Sequence, residues 1–186
     1  MPMPVSRLFT ADEYQRMVQA RILTKNDRVE LIDGEIVAKM TIGPRHSATV
    51  DRTARAFFTH AGASVIVRVQ GAARVNLFGE PEPDIVLLRP RSDFYASGHP
   101  GAADILLIIE VAESSFEYDR AVKAPLFARS NVNEYWLIDL NENVLYRHLT
   151  PERNRYRTVR RYSRGQSLSP ELLPGCVVSV DDLIVE

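Results

Sequence analysis

The run Ile105 to Ile109 shows no alternation of apolar and polar positions, the pattern of a strand covered on both faces. It ends at Glu110, with Val111 apolar beyond, so a carboxylate stands near the end of an otherwise uncharged strand. "SVIVRV" (64–69), "PDIVLL" (83–88) and "NEYWLIDL" (133–140) also read as strands, and "ARVNL" (73–77) as another. Between these runs the period changes. Val50, Ala54, Phe57, Phe58 and Ala61 recur at helical spacing, Gly62 follows where a C-terminal cap belongs, and His46 extends the inward stripe by one turn. A second helix is predicted over 118–130, where Pro125 removes one hydrogen bond unless it lies in a first turn or at a kink.

The ends of the chain carry local signals. Thr10 with Glu13 makes a capping box before a helix over about 11–20. "RVELIDGEIVAKM" predicts two strands joined at Asp33-Gly34, a pair suited to a type I′ turn. "RPRSDFYASGHPGAA" has no periodicity, and the chain finishes with strands at "VLYRHL" and "RYRTVRRY" before "LLPGCVVSVDDLIVE". The order predicts one α/β (α+β) domain, with a crossover helix between the strands at 104–111 and 133–140.

Composition narrows the chemistry. The 186 residues carry a net charge of -1, so no global basic field attracts polyanions and any such contact must be local. A single cysteine, Cys176, excludes an internal disulfide and a cysteine-based zinc site, which fits a reducing cytoplasm. No window has the length of a signal peptide or membrane span, so a soluble cytoplasmic protein is expected.

Three charged positions fall at element ends. Asp84 follows Pro83 at the start of a strand, Glu110 lies near the end of the next long strand, and Lys123 sits early on the following helix. Two carboxylates on neighbouring strands suit a hard divalent ion such as Mg²⁺, and a nearby lysine can orient a water or offset developing negative charge. Each residue also has a plain structural reading, as a helix cap or a solvated helix lysine. Glu110 argues against it, because a charge inside a two-faced apolar run needs a partner or costs several kcal/mol, of order. His46, more often a satisfied core histidine at such a position, has a milder case; Glu30 could add a ligand or be part of an ordinary amphipathic strand; and Gln70 could line the same cleft or be a turn residue. Arg153, Arg155, Arg157 and Arg161 share one face at strand period, with Tyr156 and Tyr162 opposite. That stripe is either a phosphate-binding surface or a solvated, edge-protecting face. No nucleophile elbow, phosphate-binding glycine loop or dinucleotide fingerprint is present.

"PEPDIVLLRPRSDFY", "HPGAADILLIIEVAESSFEYDRAVKAPLFARSNVNEYWLIDL" and "VLYRHLTPERNRYR" closely resemble the Uma-two family of restriction-endonuclease-like proteins, within the PD-(D/E)XK nuclease superfamily. The resemblance runs from "VELIDGEIV" to "LLPGCVVSVDDL" and implies a restriction-endonuclease-like core, a mixed central sheet flanked by helices. On that basis 1–43 is an N-terminal helix and hairpin, 44–140 the nuclease core and 141–186 the C-terminal strands. The resemblance implies that Asp84 is the aspartate of the "PD" half-motif and Glu110 the acid of the second. Ala112 stands where the superfamily's lysine usually does, and Lys123 looks like its replacement from the next helix. Glu30, His46 and Gln70 match further family positions. "EVAESSF" lacks a proline seen in many relatives, and Ser130-Asn131 replaces a frequent small residue and glycine. The implied activity is Mg²⁺- or Mn²⁺-dependent cleavage of nucleic acid, with DNA the expected partner, by a protein that could act as a homodimer. The alternative is an inactive nuclease fold serving as a DNA-binding or assembly module.

Overall fold

A computed structural model of the chain describes residues 6–185. Helix α1 (Ala11–Gln19) opens on the predicted capping box: the Glu13 amide donates to Thr10 Oγ1 at 3.2 Å, and the Thr10 amide to the Glu13 carboxylate at 3.0 Å. Strands β1 (Val29–Ile32) and β2 (Glu35–Ala38) form the expected hairpin. Both turn residues have positive φ, 51° at Asp33 and 80° at Gly34, as a type I′ turn requires. A side chain at Gly34 would also meet Leu8 Cβ at 2.6 Å, so the sequence has two reasons for glycine there.

Helix α2 (Pro44–Ala61) follows, and then the sheet. Its six strands are β3 (Ile66–Val69), β4 (Ile85–Leu88), β5 (Ile105–Ala112), β6 (Glu134–Asp139), β7 (Val144–Glu152) and β8 (Arg155–Tyr162), side by side in chain order. All neighbours are antiparallel except β5 and β6, which run parallel. A parallel pair needs a crossover, and the chain supplies a helical segment from Phe116 to Arg129. Beyond the sheet, β9 (Ser167–Leu168) pairs with β10 (Val178–Ser179), and a short helix, Val180–Leu183, closes the described chain.

Two helical layers explain the unbroken apolar runs. On one face Val50, Ala54 and Phe57 of α2 pack with Leu107, Ile109, Trp136 and Ile138. On the other Leu126 and Phe127 of the crossover helix pack with Ile108, Tyr135 and Leu137. Alternate residues of β5 and β6 therefore enter different cores, and every position is apolar unless it has another task. Burial of each large side chain contributes about 1.5–3 kcal/mol.

The structure departs from the pattern in four places. Residues 73–77 are not a strand: Ala73 and Val75 are buried, but their amides bond to the carbonyls of Pro81 and Gly79 within a tight turn. Phe58 is not part of the buried stripe, being 58% exposed where Phe57 is fully buried. The tail residues Val180–Leu183 form a helical turn packed on the α2 side. The crossover helix starts at Phe116, and Asp119–Lys123 has π-helical hydrogen bonding, with the Ala124 amide reaching the Asp119 carbonyl. Pro125 sits just after that widened turn, in the first turn of the α-helical stretch Ala124–Arg129.

The contrast between adjacent phenylalanines is testable by urea unfolding. Phe57→Ala should cost about 3–5 kcal/mol, and Phe58→Ala within about 0.5 kcal/mol of nothing. Equal effects would contradict the assigned packing of α2.

Candidate functional site

The register of the sheet sets two acidic residues opposite each other. Ile85 of β4 pairs with Ile109 of β5, so the residue before the one faces the residue after the other: Asp84 and Glu110. The Asp84 amide donates to Glu110 Oε2 at 3.2 Å, and the Val111 amide donates to Asp84 Oδ2 at 2.9 Å. His46, on the first turn of α2, places Nε2 at 3.0 Å from the same Oδ2. Both donors use one oxygen, which leaves Asp84 Oδ1 without a hydrogen-bond partner among the described residues.

Lys123 comes from the π-helical turn of the crossover helix and is buried, only 8% exposed. Its Nζ donates to Glu110 Oε1 at 2.8 Å and lies 3.2 Å from Glu30 Oε1 and 3.7 Å from Asp119 Oδ1. Glu30, on β1, is steadied through Oε2 by the Glu82 amide at 3.0 Å, and Asp119 by the Ser115 hydroxyl at 2.6 Å. These groups line a half-open cavity of about 290 Å³, together with Gln70 and Tyr118. Gln70 is both things its position allowed: a turn residue with φ of 47°, whose amide bonds the Asp84 carbonyl at 2.9 Å, and part of the cavity wall.

Residues 11–181 match the sequence pattern of Uma2, a family described as "Putative restriction endonuclease". The chain belongs to the Uma2 family. The fold agrees: a crystal structure from Anabaena variabilis, described as a "putative nuclease belonging to DUF820", superposes with a TM-score of 0.70 at 17% identity, covering 94% of this chain and 97% of that one. No curated protein matches the chain.

In this Uma2 chain the electrostatics are dominated by burial. Glu30, Asp84, Glu110 and Asp119 are all buried, and the cations buried among them are Lys123 and, when protonated, His46. Burial and the neighbouring acids Asp84, Asp119 and Glu30 hold the Glu110 carboxyl well above the usual range, against the pull of Lys123. Asp119 is raised by burial as well. Burial opposes the Lys123 charge, but Glu110, Glu30 and Asp119 outweigh it and hold the ammonium well above its ordinary value. Asp84 is lowered: burial works against its charge, and the His46 hydrogen bond and charge and the Val111 amide prevail. His46 is raised by the same pairing, again against burial.

The donor set is all oxygen, which suits a hard cation such as Mg²⁺ that keeps several waters. Among the described residues, however, no three His, Cys, Asp or Glu side chains are spaced as metal ligands. The position between Glu110, Glu30 and Asp119 is taken by the Lys123 ammonium.

The arginine stripe is elsewhere. It lies along β8, an outer strand three steps from β5, or about 14 Å at the usual strand spacing. Arg153 is not on that strand at all; it sits in the β7–β8 turn with φ of 53°. Arg157 faces Glu152 at 3.7 Å and Arg161 donates to the Ser163 hydroxyl, as expected of an edge-protecting face. Asp119 was not singled out from the sequence, although its i,i+4 spacing to Lys123 was visible.

Two measurements check the charge assignment. Lys123→Met leaves three acids facing one another and should cost about 3–5 kcal/mol at neutral pH, whereas Glu110→Gln, which relieves a raised carboxyl, should cost far less. A larger loss for Glu110→Gln would reverse the assignment. For His46, a folded value above 6.5 means the pair's contribution is full below 6.5 and lost as pH rises through the folded value. For Asp84, a lowered value means its contribution is present above 3.8 and lost as pH falls through the folded value. An NMR titration of His46 should show a midpoint above 6.5 that falls below 6.5 in Asp84→Asn, where burial persists without the partner charge.

Proposed function

We propose that this Uma2 protein hydrolyses phosphodiester bonds in nucleic acid, DNA by preference, with Mg²⁺ or Mn²⁺ held by Asp84 and Glu110. The observation that carries this reading is the cross-strand pairing of Asp84 and Glu110 at one cavity, the Asp84 amide and the Lys123 ammonium both donating to the Glu110 carboxylate. When bound, the cation would polarise a phosphoryl oxygen and lower the pKa of a coordinated water. His46 and the Val111 amide fix the Asp84 carboxylate, so its free oxygen is presented without reorganisation. Glu30 and Asp119 keep Lys123 protonated, so it acts as a hydrogen-bond donor that positions the attacking water or steadies developing negative charge, not as a base. Gln70 contributes a polar wall. Cutting both strands of a duplex would call for two copies of the chain, and a homodimer fits that task. The buried free thiol of Cys176 suits a reducing cytoplasm.

A second reading has one specific observation behind it. The ammonium of Lys123 already fills the centre of the acid cluster, as it would in a nuclease fold retained for binding or assembly. The two readings separate in a cleavage assay on single- and double-stranded DNA and RNA, with Mg²⁺ or EDTA. Asp84→Ala and Glu110→Ala should abolish Mg²⁺-dependent cleavage while circular dichroism stays native. Cleavage unchanged in either variant would sink the catalytic assignment, and binding without any metal effect would favour the second reading.

A further inference from the structure

A second cavity, of about 410 Å³, opens beside the crossover helix against β7 and β8 and shares no lining residue with the acid-cluster cavity. Its walls are aromatic. Phe116 and Tyr146 meet with ring centroids 5.6 Å apart, and His148 and Tyr156 at 5.7 Å. Tyr156 and His148 are buried while Phe116 and Tyr146 are half-buried, so the latter two offer ring surface to the cavity. Burial lowers the basicity of His148, whose Nδ1 lies 3.2 Å from the Tyr146 carbonyl; the imidazole is neutral at physiological pH and adds no charge. The charge comes from two exposed guanidinium groups in the lining, Arg120 and Arg155. Arg120 has only an exposed surface pairing with Glu117 at 3.1 Å. Of the four arginines in the sequence stripe, Arg155 alone lines this cavity.

We infer that this cavity is a nucleotide-binding site, taking a nucleobase against the Phe116 and Tyr146 rings and its phosphate on Arg120 and Arg155. Base–aromatic stacking tolerates every base because each has a π-face, and guanidinium groups pair with phosphate through two parallel hydrogen bonds. The volume is in the range of small-ligand sites. Arg120 and Lys123 belong to the same π-helical turn, so one short segment serves both cavities. The nucleotide can come from two sources, a free mononucleotide or one unit of a bound strand; the chemistry is the same.

The inference does not rest on catalysis, and its test runs in EDTA. AMP and single-stranded pentathymidylate are titrated into the full chain by calorimetry and by ¹H–¹⁵N NMR. Binding should shift the amides of Phe116, Tyr146 and Val159, persist in Asp84→Ala, and weaken about tenfold in Arg120→Glu and in Arg155→Glu. Arg55→Glu, on the exposed side of α2, should bind as the parent does. Binding of AMP supports the site with a free nucleotide as source; binding of the oligonucleotide alone supports it with a strand as source. Failure of both ligands, binding unchanged in Arg120→Glu or Arg155→Glu, or equal weakening in Arg55→Glu overturns it.

Discussion

One ammonium group holds the acidic cluster together. The Lys123 Nζ is the point at which carboxylates from β1, β5 and the crossover helix converge, each within 3.7 Å. A buried carboxylate without a partner costs several kcal/mol, of order, whereas a charge pair 4 Å apart recovers about 4 kcal/mol at an effective dielectric near 20. One lysine facing three acids cannot satisfy them all equally, and burial, with the neighbouring acids adding to it, holds the Glu110 and Asp119 carboxyls above their ordinary values. The same contact fixes architecture: the β1–β2 hairpin is a separate sheet, and Glu30 ties it to the main one through Lys123.

The backbone around this contact is arranged by ordinary local rules. Antiparallel pairing of β4 with β5 sets the start of one beside the end of the other, which turns Asp84 and Glu110, 26 positions apart in the chain, into cross-strand neighbours. The parallel pairing of β5 with β6 then demands a crossover that begins at the end of β5 where Glu110 lies. Pro125 cannot donate to the helix ladder, and the turn before it is widened into a π-helical one. Asp119 and Lys123 both belong to that turn. Such turns often mark functional sites because they re-aim side chains at a cost in regular hydrogen bonding.

Much of this was legible in the sequence. Glu110 betrayed itself as a charge in an apolar run, and Asp84 by its place at a strand start after Pro83. His46 could be placed inward by helical period, and it pairs with Asp84. Lys123 was different. The residue pattern offered it a role beside two carboxylates but left it readable as a solvated helix lysine, and the likeness to Uma-two favoured the role; its burial comes from tertiary contacts between residues up to 93 positions apart, which no periodicity encodes. Asp119 escaped for the same reason. The failures are also physical. "ARVNL" has strand composition, but its neighbours in space are turn and loop carbonyls, so no ladder forms. Phe58 fits a helical stripe by count yet lies just outside the arc that α2 buries. Arg155, Arg157 and Arg161 of the arginine stripe lie on β8 while Arg153 falls in the turn before it, and alternation says nothing of how far a strand lies from the site.

The charge balance bears on function by a comparison with what stability alone would favour. Buried ion pairs can often be exchanged for apolar side chains of similar volume at no loss, or with a gain of 1–4 kcal/mol. A two-faced sheet as apolar as β4–β6 has every means to fill this position that way. Instead four buried carboxylates, from β1, the start of β4, β5 and the crossover helix, gather at its end beside one lysine and one histidine, with an Asp84 oxygen left without a hydrogen bond among the described residues. That arrangement is costly as a structural element, and the proposed nuclease reading gives it a task. Lys123 serves as the resident counter-charge that lets the acids stay buried, and on the proposed reading a divalent cation held by Asp84 and Glu110 would add the positive charge that one lysine cannot supply.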